Sequence, residues 1–213
     1  MRLVAFDFDG TLSDSEMTVL LGEEAGVAEE IEEITRRAMN DELSYAESLY
    51  ARAELLDGLP EANVERAFGR VKLRDGAASV INALDAAGHH VAILTGGFEA
   101  GVEGALDDAG VTVDTIIANR LPIRREKLTG RVEGPLIEGT KDDALEALAD
   151  DLGVPMADTV AVGDGANDLP MLEVAGWAVG YDPKPAVEPH CDDVVDSMSA
   201  LLDRFEAIGL LEG

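Results

Sequence analysis

Short apolar runs rich in β-branched residues recur along this chain, and a stretch of helical pattern follows each of them. The runs are L-V-A-F-D-F (3–8), H-V-A-I-L-T (90–95), T-I-I-A-N (115–119), T-V-A-V-G-D (159–164) and W-A-V-G-Y (177–181). Strands this short and this continuously apolar are buried on both faces. Helical patterns fit 75–87, 98–109, 140–152, 167–175 and 198–208. The alternation predicts an α/β fold, a doubly wound parallel Rossmann-like sheet with helices on both sides. The helix over 167–175 opens with Asn167, Asp168 and Pro170, residues suited to a first turn. R-R-E-K-L-T-G-R-V-E-G (124–134) alternates around a turn glycine and predicts a small hairpin.

Residues 15–74 break the rhythm. They hold no convincing strand, only Glu-, Ala- and Leu-rich helical patterns such as E-E-I-E-E-I-T-R-R-A-M (29–39) and Y-A-E-S-L-Y-A-R-A-E-L-L (45–56). The expected organisation is a discontinuous core, 1–14 and 75–213, with a helical cap at 15–74 large enough to form a lid. Met39 and Tyr45 in that segment read first as core packing, and second as lining of a pocket beneath the lid.

Charge narrows the partners. The chain has 44 acidic against 16 basic residues, a net charge of −28 over 213 residues. Nucleic acid and anionic membrane would both be repelled, so neither is expected as a partner. Self-repulsion on this scale fits a halophilic surface, one adapted to high salt. Cys191 is the one cysteine, so no intrachain disulfide forms and a cytoplasmic location is expected. The N-terminal M-R-L-V-A-F-D has no signal-peptide pattern, and no apolar stretch reaches the length of a membrane span. A monomer or homodimer is expected.

In a parallel sheet, ligands bind beyond the carboxyl ends of the strands. There the chain places Asp7 and Asp9 after the first run, Thr95-Gly96-Gly97 after the second, and Asp164-Gly165 after the 159–164 run. Asp7 and Asp9, two apart, are expected on one face of the strand tip, where two buried like charges need a counter-ion or a reaction. With Asp164, and Asp168 one turn beyond, they form an all-oxygen set suited to Mg²⁺. The T-G-G turn is expected to open a helix and offer N–H groups and the Thr95 hydroxyl to phosphate. Lys141 follows Thr140, a candidate N-cap, and so sits in a first helical turn, where a cation opposes the helix dipole. In a chain with lysine only at 72, 127, 141 and 184, that placement points to a demand for positive charge. A carboxylate attacking a phosphate dianion creates such a demand. Asp7 then reads as the nucleophile and Asp9 as the acid and base.

These stretches carry a family resemblance. D-F-D-G-T (7–11), T-G-G (95–97), Lys141 and G-D-G-A-N-D (163–168), in this order across nearly the whole chain, resemble the four motifs of the haloacid dehalogenase-like phosphatases. The inserted helical segment resembles the cap of that superfamily. T-L-S-D-S-E (11–16), S-L-Y-A-R (48–52), T-G-G-F-E (95–99), A-N-R-L (118–121) and K-L-T-G-R-V-E-G (127–134) are most similar to its phosphoserine phosphatases. The resemblance implies Mg²⁺-dependent hydrolysis of O-phosphoserine to serine and phosphate, in serine biosynthesis. It implies Mg²⁺ on Asp7, the backbone carbonyl of Asp9, and Asp164, with Asp168 behind them. Phosphate would lie on Thr95, Gly96, Lys141 and Asn167. Glu16 and Arg52, which by themselves read as surface charges on amphipathic helices, would face the substrate's ammonium and carboxylate. Thr95 stands where these phosphatases usually carry Ser. Another small phosphate ester, transfer of the phosphoryl group to an alcohol, and a non-catalytic phosphate- or metal-binding module are the competing readings.

Overall fold

The computed structural model describes residues 1–40 and 42–211, and of Met39 the backbone alone. Its centre is a six-stranded sheet: β1 (Leu3–Phe6), β2 (His90–Phe98), β3 (Thr115–Asn119), β4 (Thr159–Gly163), β5 (Trp177–Tyr181) and β6 (Asp193–Val195). Every pairing is parallel, in the order β3-β2-β1-β4-β5-β6. The chain steps outward from β1 to one side and then to the other, so the strand order reverses at β1. Crevices at such reversals hold ligands. The five expected strands are present, and β6 is an addition. Only three residues long, with Val194 exposed at the sheet edge, it lacked the apolar run that marks a buried strand.

The alternation of side chains along each strand divides the core in two. Val4 and Phe6 of β1, with Val91, Ile93, Val160 and Val162, face α5 (Ala77–Ala86), α6 (Glu99–Ala109) and α9 (Met198–Ala207). Leu3, Ala5, Ala92 and Ala161 face α7 (Lys141–Leu152) and α8 (Leu169–Val174). Register aligns Ala92, Ala5, Ala161 and Ala178 in one row across four strands. Methyl side chains there let α7 and α8 approach the sheet closely. Asp7, next after Phe6, lies on the same side of the pleat as Leu3 and Ala5, toward α7. A 3₁₀ turn at Ala166–Asp168 precedes α8, which has Pro170 in its first turn.

Four helices lie between β1 and α5: α1 (Met17–Ala25), α2 (Ala28–Met39), α3 (Tyr45–Leu55) and α4 (Glu61–Phe68). The two chain segments that lead into and out of this group run side by side, with Ser13 paired antiparallel to Leu73. α1 packs on α2 and α4, and α4 touches α6 of the core.

Two local expectations need correction. β2 does not stop at Thr95. It runs through the glycines to Phe98, with an irregular register between Leu94 and Phe98 against β3, so T-G-G is a bulge in a strand and not the turn that opens α6. Extra residues in a bulge turn their backbone groups out of the ladder. The hairpin spans Arg120 to Glu133, but its turn lies at Arg125 and Glu126, both with positive φ, and not at Gly130. Gly130 (φ 67) instead rests against Asp57, where a Cβ would lie 2.9 Å from the Asp57 Cβ.

Candidate active site

The carboxyl ends of β1, β2 and β4 converge as expected, and α7 adds a cation. Asp7 continues β1 by one pairing, its N–H donating to Val162 O at 2.9 Å. Its buried carboxylate accepts a hydrogen bond from Lys141 Nζ at 2.5 Å, and the same ammonium donates to Asp168 Oδ1 at 2.5 Å. Lys141 is the first residue of α7 and is 3% exposed. A buried ammonium persists only when paired, and two carboxylates on its protons supply the pairing. Both partners raise the Lys141 pKa against the opposing effect of burial. Thr140 occupies the N-cap position, but its hydroxyl bonds the Asp142 side chain and does not cap the helix.

Asp168 is an anchor. Its second oxygen accepts from the backbone N–H of Asp164 at 3.0 Å and of Gly165 at 2.9 Å, which fixes the turn after β4. That turn presents Asp164, whose Oδ1 accepts from the Thr11 hydroxyl at 3.2 Å. Gly10 (φ 91) passes so close that a Cβ there would lie 2.5 Å from Asp164 Oδ1. Oxygens of Asp7, Asp164 and Asp168 lie within 4.8 Å of one another.

Asp9 departs from the expected geometry. The strand ends at Phe6, the chain turns, and the Asp9 carboxylate swings to the start of α1, where Oδ2 accepts from Met17 N at 3.4 Å. Its Oδ1 is buried with no hydrogen-bond partner among the described residues. Burial, then Glu16 and Asp7, push the Asp9 carboxyl well above the ordinary range. Asp7 is pushed up to about 7 by burial and by Asp168, against the pull of Lys141. Asp164 is raised as well, by burial and Asp168. Burial raises all three carboxyls first, and neighbouring carboxylates raise them further against the pull of Lys141 and Lys184. The set is all oxygen and short of positive charge, which fits a hard divalent cation. Asp168 joins the carboxylate cluster and the Asp9 side chain does not. Both Asp168 oxygens are held inside the fold by Lys141 and two backbone N–H groups, whereas those of Asp164 meet only the Thr11 hydroxyl and the half-exposed Lys184 ammonium, so Asp7 and Asp164 are the carboxylates better placed to take a cation.

Around this centre lies a cavity of about 370 Å³ lined by Gly96, Lys141, Asn167 and Tyr45, among others. The Thr95 hydroxyl accepts from Gly97 N at 3.0 Å, which curls the bulge. Asn119, at the end of β3, ties Gly96 O (3.1 Å) to Leu136 O (3.0 Å) through its side-chain amide. Tyr45 is not core: it is 37% exposed, lines the cavity, and lies so close to Gly96 that a Cβ there would strike its hydroxyl. For Met39 the expectation concerns a side chain outside the described residues.

Arg52, on α3, donates to Ser48 O at 3.3 Å and to the Thr18 hydroxyl at 3.2 Å. Among the described residues no carboxylate is ion-paired with it, yet it feels Tyr45, Glu16 and Asp9, while burial lowers its pKa. Glu16 immediately precedes α1 at the cleft mouth; enclosure by the cleft raises its carboxyl, and Lys184 and Arg52 oppose the rise. The structure thus gathers Asp7, Asp9, Glu16, Arg52, Thr95, Gly96, Lys141, Asp164, Asn167 and Asp168 around the carboxyl ends of β1, β2 and β4, with Gly96, Lys141 and Asn167 lining the cavity. Thr11, Asn119 and Lys184 are additions. Lys184 lay within reach of the strand-end rule, since it follows β5 by three residues and is one of the chain's few lysines.

The family model for haloacid dehalogenase-like hydrolases matches residues 4–173. A protein of Halobacterium salinarum named phosphoserine phosphatase is 54% identical over 94% of this chain and 95% of its own length. A protein of the same name from Methanocaldococcus jannaschii is 39% identical over 92% of each chain. A solved phospho-aspartyl intermediate analogue of phosphoserine phosphatase superposes with a TM-score of 0.88 at 38% identity, covering 95% of this chain and 98% of that one. With its parallel sheet, its rim of aspartates and these relatives, the chain belongs to the haloacid dehalogenase-like hydrolase family.

Proposed function

We propose that this hydrolase is a cytoplasmic, Mg²⁺-dependent phosphoserine phosphatase that works through an aspartyl-phosphate on Asp7. The observation that carries the reading is Lys141 held between Asp7 and Asp168 beside the high-pKa carboxyl of Asp9. The named relatives and the solved analogue support the substrate.

Asp7 and Asp164, with the backbone carbonyl of Asp9, are the residues that would hold Mg²⁺, which when bound offsets charge on the phosphoryl oxygens. An Asp7 oxygen attacks phosphorus, and the bond from phosphorus to the seryl oxygen breaks. Asp9, whose burial favours the protonated form, gives its proton to that departing oxygen. Serine leaves. A water molecule then attacks the phosphorus, Asp9 takes its proton, and the bond to Asp7 breaks to release phosphate. Lys141, the Thr95 hydroxyl, the Gly96 N–H and Asn167 hold the phosphoryl oxygens, and Lys141 also restrains Asp7 in the attacking pose. Its ammonium offsets repulsion between carboxylate and phosphate, which at about 4 Å is roughly 4 kcal/mol per charge pair at intermediate dielectric.

Residues 15–74 act in this reading as the cap that selects the substrate. Arg52 meets the serine carboxylate as a fork, and Glu16 meets the ammonium. Arg52→Glu tests the assignment. Turnover of O-phosphoserine should fall by at least about 100-fold in kcat/KM, the effect expected when a charge-assisted contact becomes a repulsion. Turnover of p-nitrophenyl phosphate, which carries neither group, should change little. Equal loss on both esters would refute the substrate assignment.

A further inference from the structure

Lys184 has no place in the chemistry above, although it stands at the same rim. Its backbone is tied on both sides: the N–H donates to Asp164 O at 2.9 Å, and the carbonyl accepts from Val187 N at 2.8 Å. Its ammonium lies 3.3 Å from Asp164 Oδ2, with the lysine side chain 49% exposed and that of Asp164 12% exposed. The other oxygen of Asp164 is engaged by Thr11, so Oδ2 is the one that Lys184 occupies. A Cβ on Gly165 would sit 3.5 Å from the ammonium, which therefore also borders the turn that carries Asn167. Its positive charge also acts on Glu16, the residue before α1. The backbone is anchored and the side chain ends in solvent, so the charge can leave Asp164 without any rearrangement of the loop.

We infer that Lys184 is an internal counter-cation: its ammonium neutralises Asp164 while the cluster holds no divalent ion, and gives up Oδ2 when one arrives. The inference rests on the assignment of Asp7 and Asp164 as the metal-holding carboxylates. An ammonium and a divalent cation compete for one carboxylate oxygen, since like charges a few ångströms apart repel. Metal that takes Oδ2 works against the pair, and the pair lowers the affinity of the site. The same pair stabilises the metal-free fold by partly neutralising a crowded set of aspartates. Lys184 in this way sets the metal concentration at which the enzyme becomes loaded.

The test is direct measurement of Mn²⁺ binding by electron paramagnetic resonance, following free Mn²⁺, with Lys184→Ala, Lys184→Arg, Asp164→Asn and the Asp164→Asn/Lys184→Ala double variant. Loss of an exposed ion pair predicts roughly two- to fivefold tighter Mn²⁺ binding in Lys184→Ala. Lys184→Arg should bind like the wild type. In the Asp164→Asn background the alanine substitution should have no effect, because the pair is already gone. Without metal, Lys184→Ala should melt at a lower temperature than wild type, and saturating Mn²⁺ should close the gap. Unchanged or weaker Mn²⁺ binding by Lys184→Ala, with the Asp164-dependent site intact, overturns the counter-cation role alone. Mn²⁺ affinity that survives Asp164→Asn overturns the metal assignment, and the counter-cation role with it.

Discussion

Asp7 stands under strong electrostatic tension. In the fold its carboxyl titrates at about 7 instead of its ordinary 3.8, and Asp9 and Asp164 are displaced in the same direction. The folded state therefore keeps protons that the unfolded chain has released. A carboxyl raised in this way contributes stability that is complete below its unfolded pKa and is lost as pH climbs through the folded value. The metal-free protein should accordingly lose stability between pH 3.8 and about 7. Asp7→Asn, which cannot ionise, should show a shallower decline, as measured by thermal melts in chelator at constant salt. Equal slopes would contradict the burial of an ionisable Asp7 among carboxylates. Asp7, Lys141 and Asp164 were legible in the sequence because each follows a strand or opens a helix, where position follows from periodicity. The turn of Asp9 toward Met17 was not, since it depends on how β1 ends and α1 begins. Lys184 was legible in principle, but its bond to Asp164 joins residues 20 apart through two loops whose path no local pattern encodes.

At the scale of elements, α3 matters most to the substrate, because it carries both Tyr45 and Arg52. It starts with a capping box. The Ser44 hydroxyl accepts from Glu47 N at 3.2 Å, and the Glu47 carboxylate accepts from Ser44 N at 2.8 Å. Loss of such a cap costs about 1 kcal/mol. Ser44→Ala should lower stability by that amount in urea melts and raise KM for O-phosphoserine more than it lowers kcat, because fraying begins at Tyr45. Apart from β2, which runs three residues past its expected end, the long apolar strands and the helices with a clear apolar face were predicted within a residue or two of their observed ends. The failures share one cause. β6, the T-G-G bulge and the hairpin turn are settled by neighbouring strands and not by local preference: Arg125 and Glu126 take the left-handed conformation that sequence alone would assign to Gly130. Tertiary contacts override weak local signals of this kind.

For the whole molecule the net charge of −28 sets the conditions of folding. Repulsion among surface carboxylates opposes compaction, and salt screens it, with a screening length of about 10 Å at 0.1 M and about 3 Å at 1 M. The thermal midpoint should rise steadily as KCl is increased from about 0.1 M to about 1 M and continue upward more slowly beyond. A flat profile would mean that the acidic surface carries no net strain. The fold class was legible at this scale because alternating strands and helices admit few parallel topologies. The meeting of the strand ends and helices α1–α4 around one site emerged only from the packed molecule.

The central claim, hydrolysis of O-phosphoserine through Asp7 with Mg²⁺, is tested most directly by phosphate release in high-salt buffer. Wild type and Asp7→Asn are compared with and without Mg²⁺. Removal of a nucleophile predicts a loss of at least about 10³-fold in kcat, and wild-type turnover should disappear with the metal. Phosphate release by a folded Asp7→Asn variant at the wild-type rate would contradict the account.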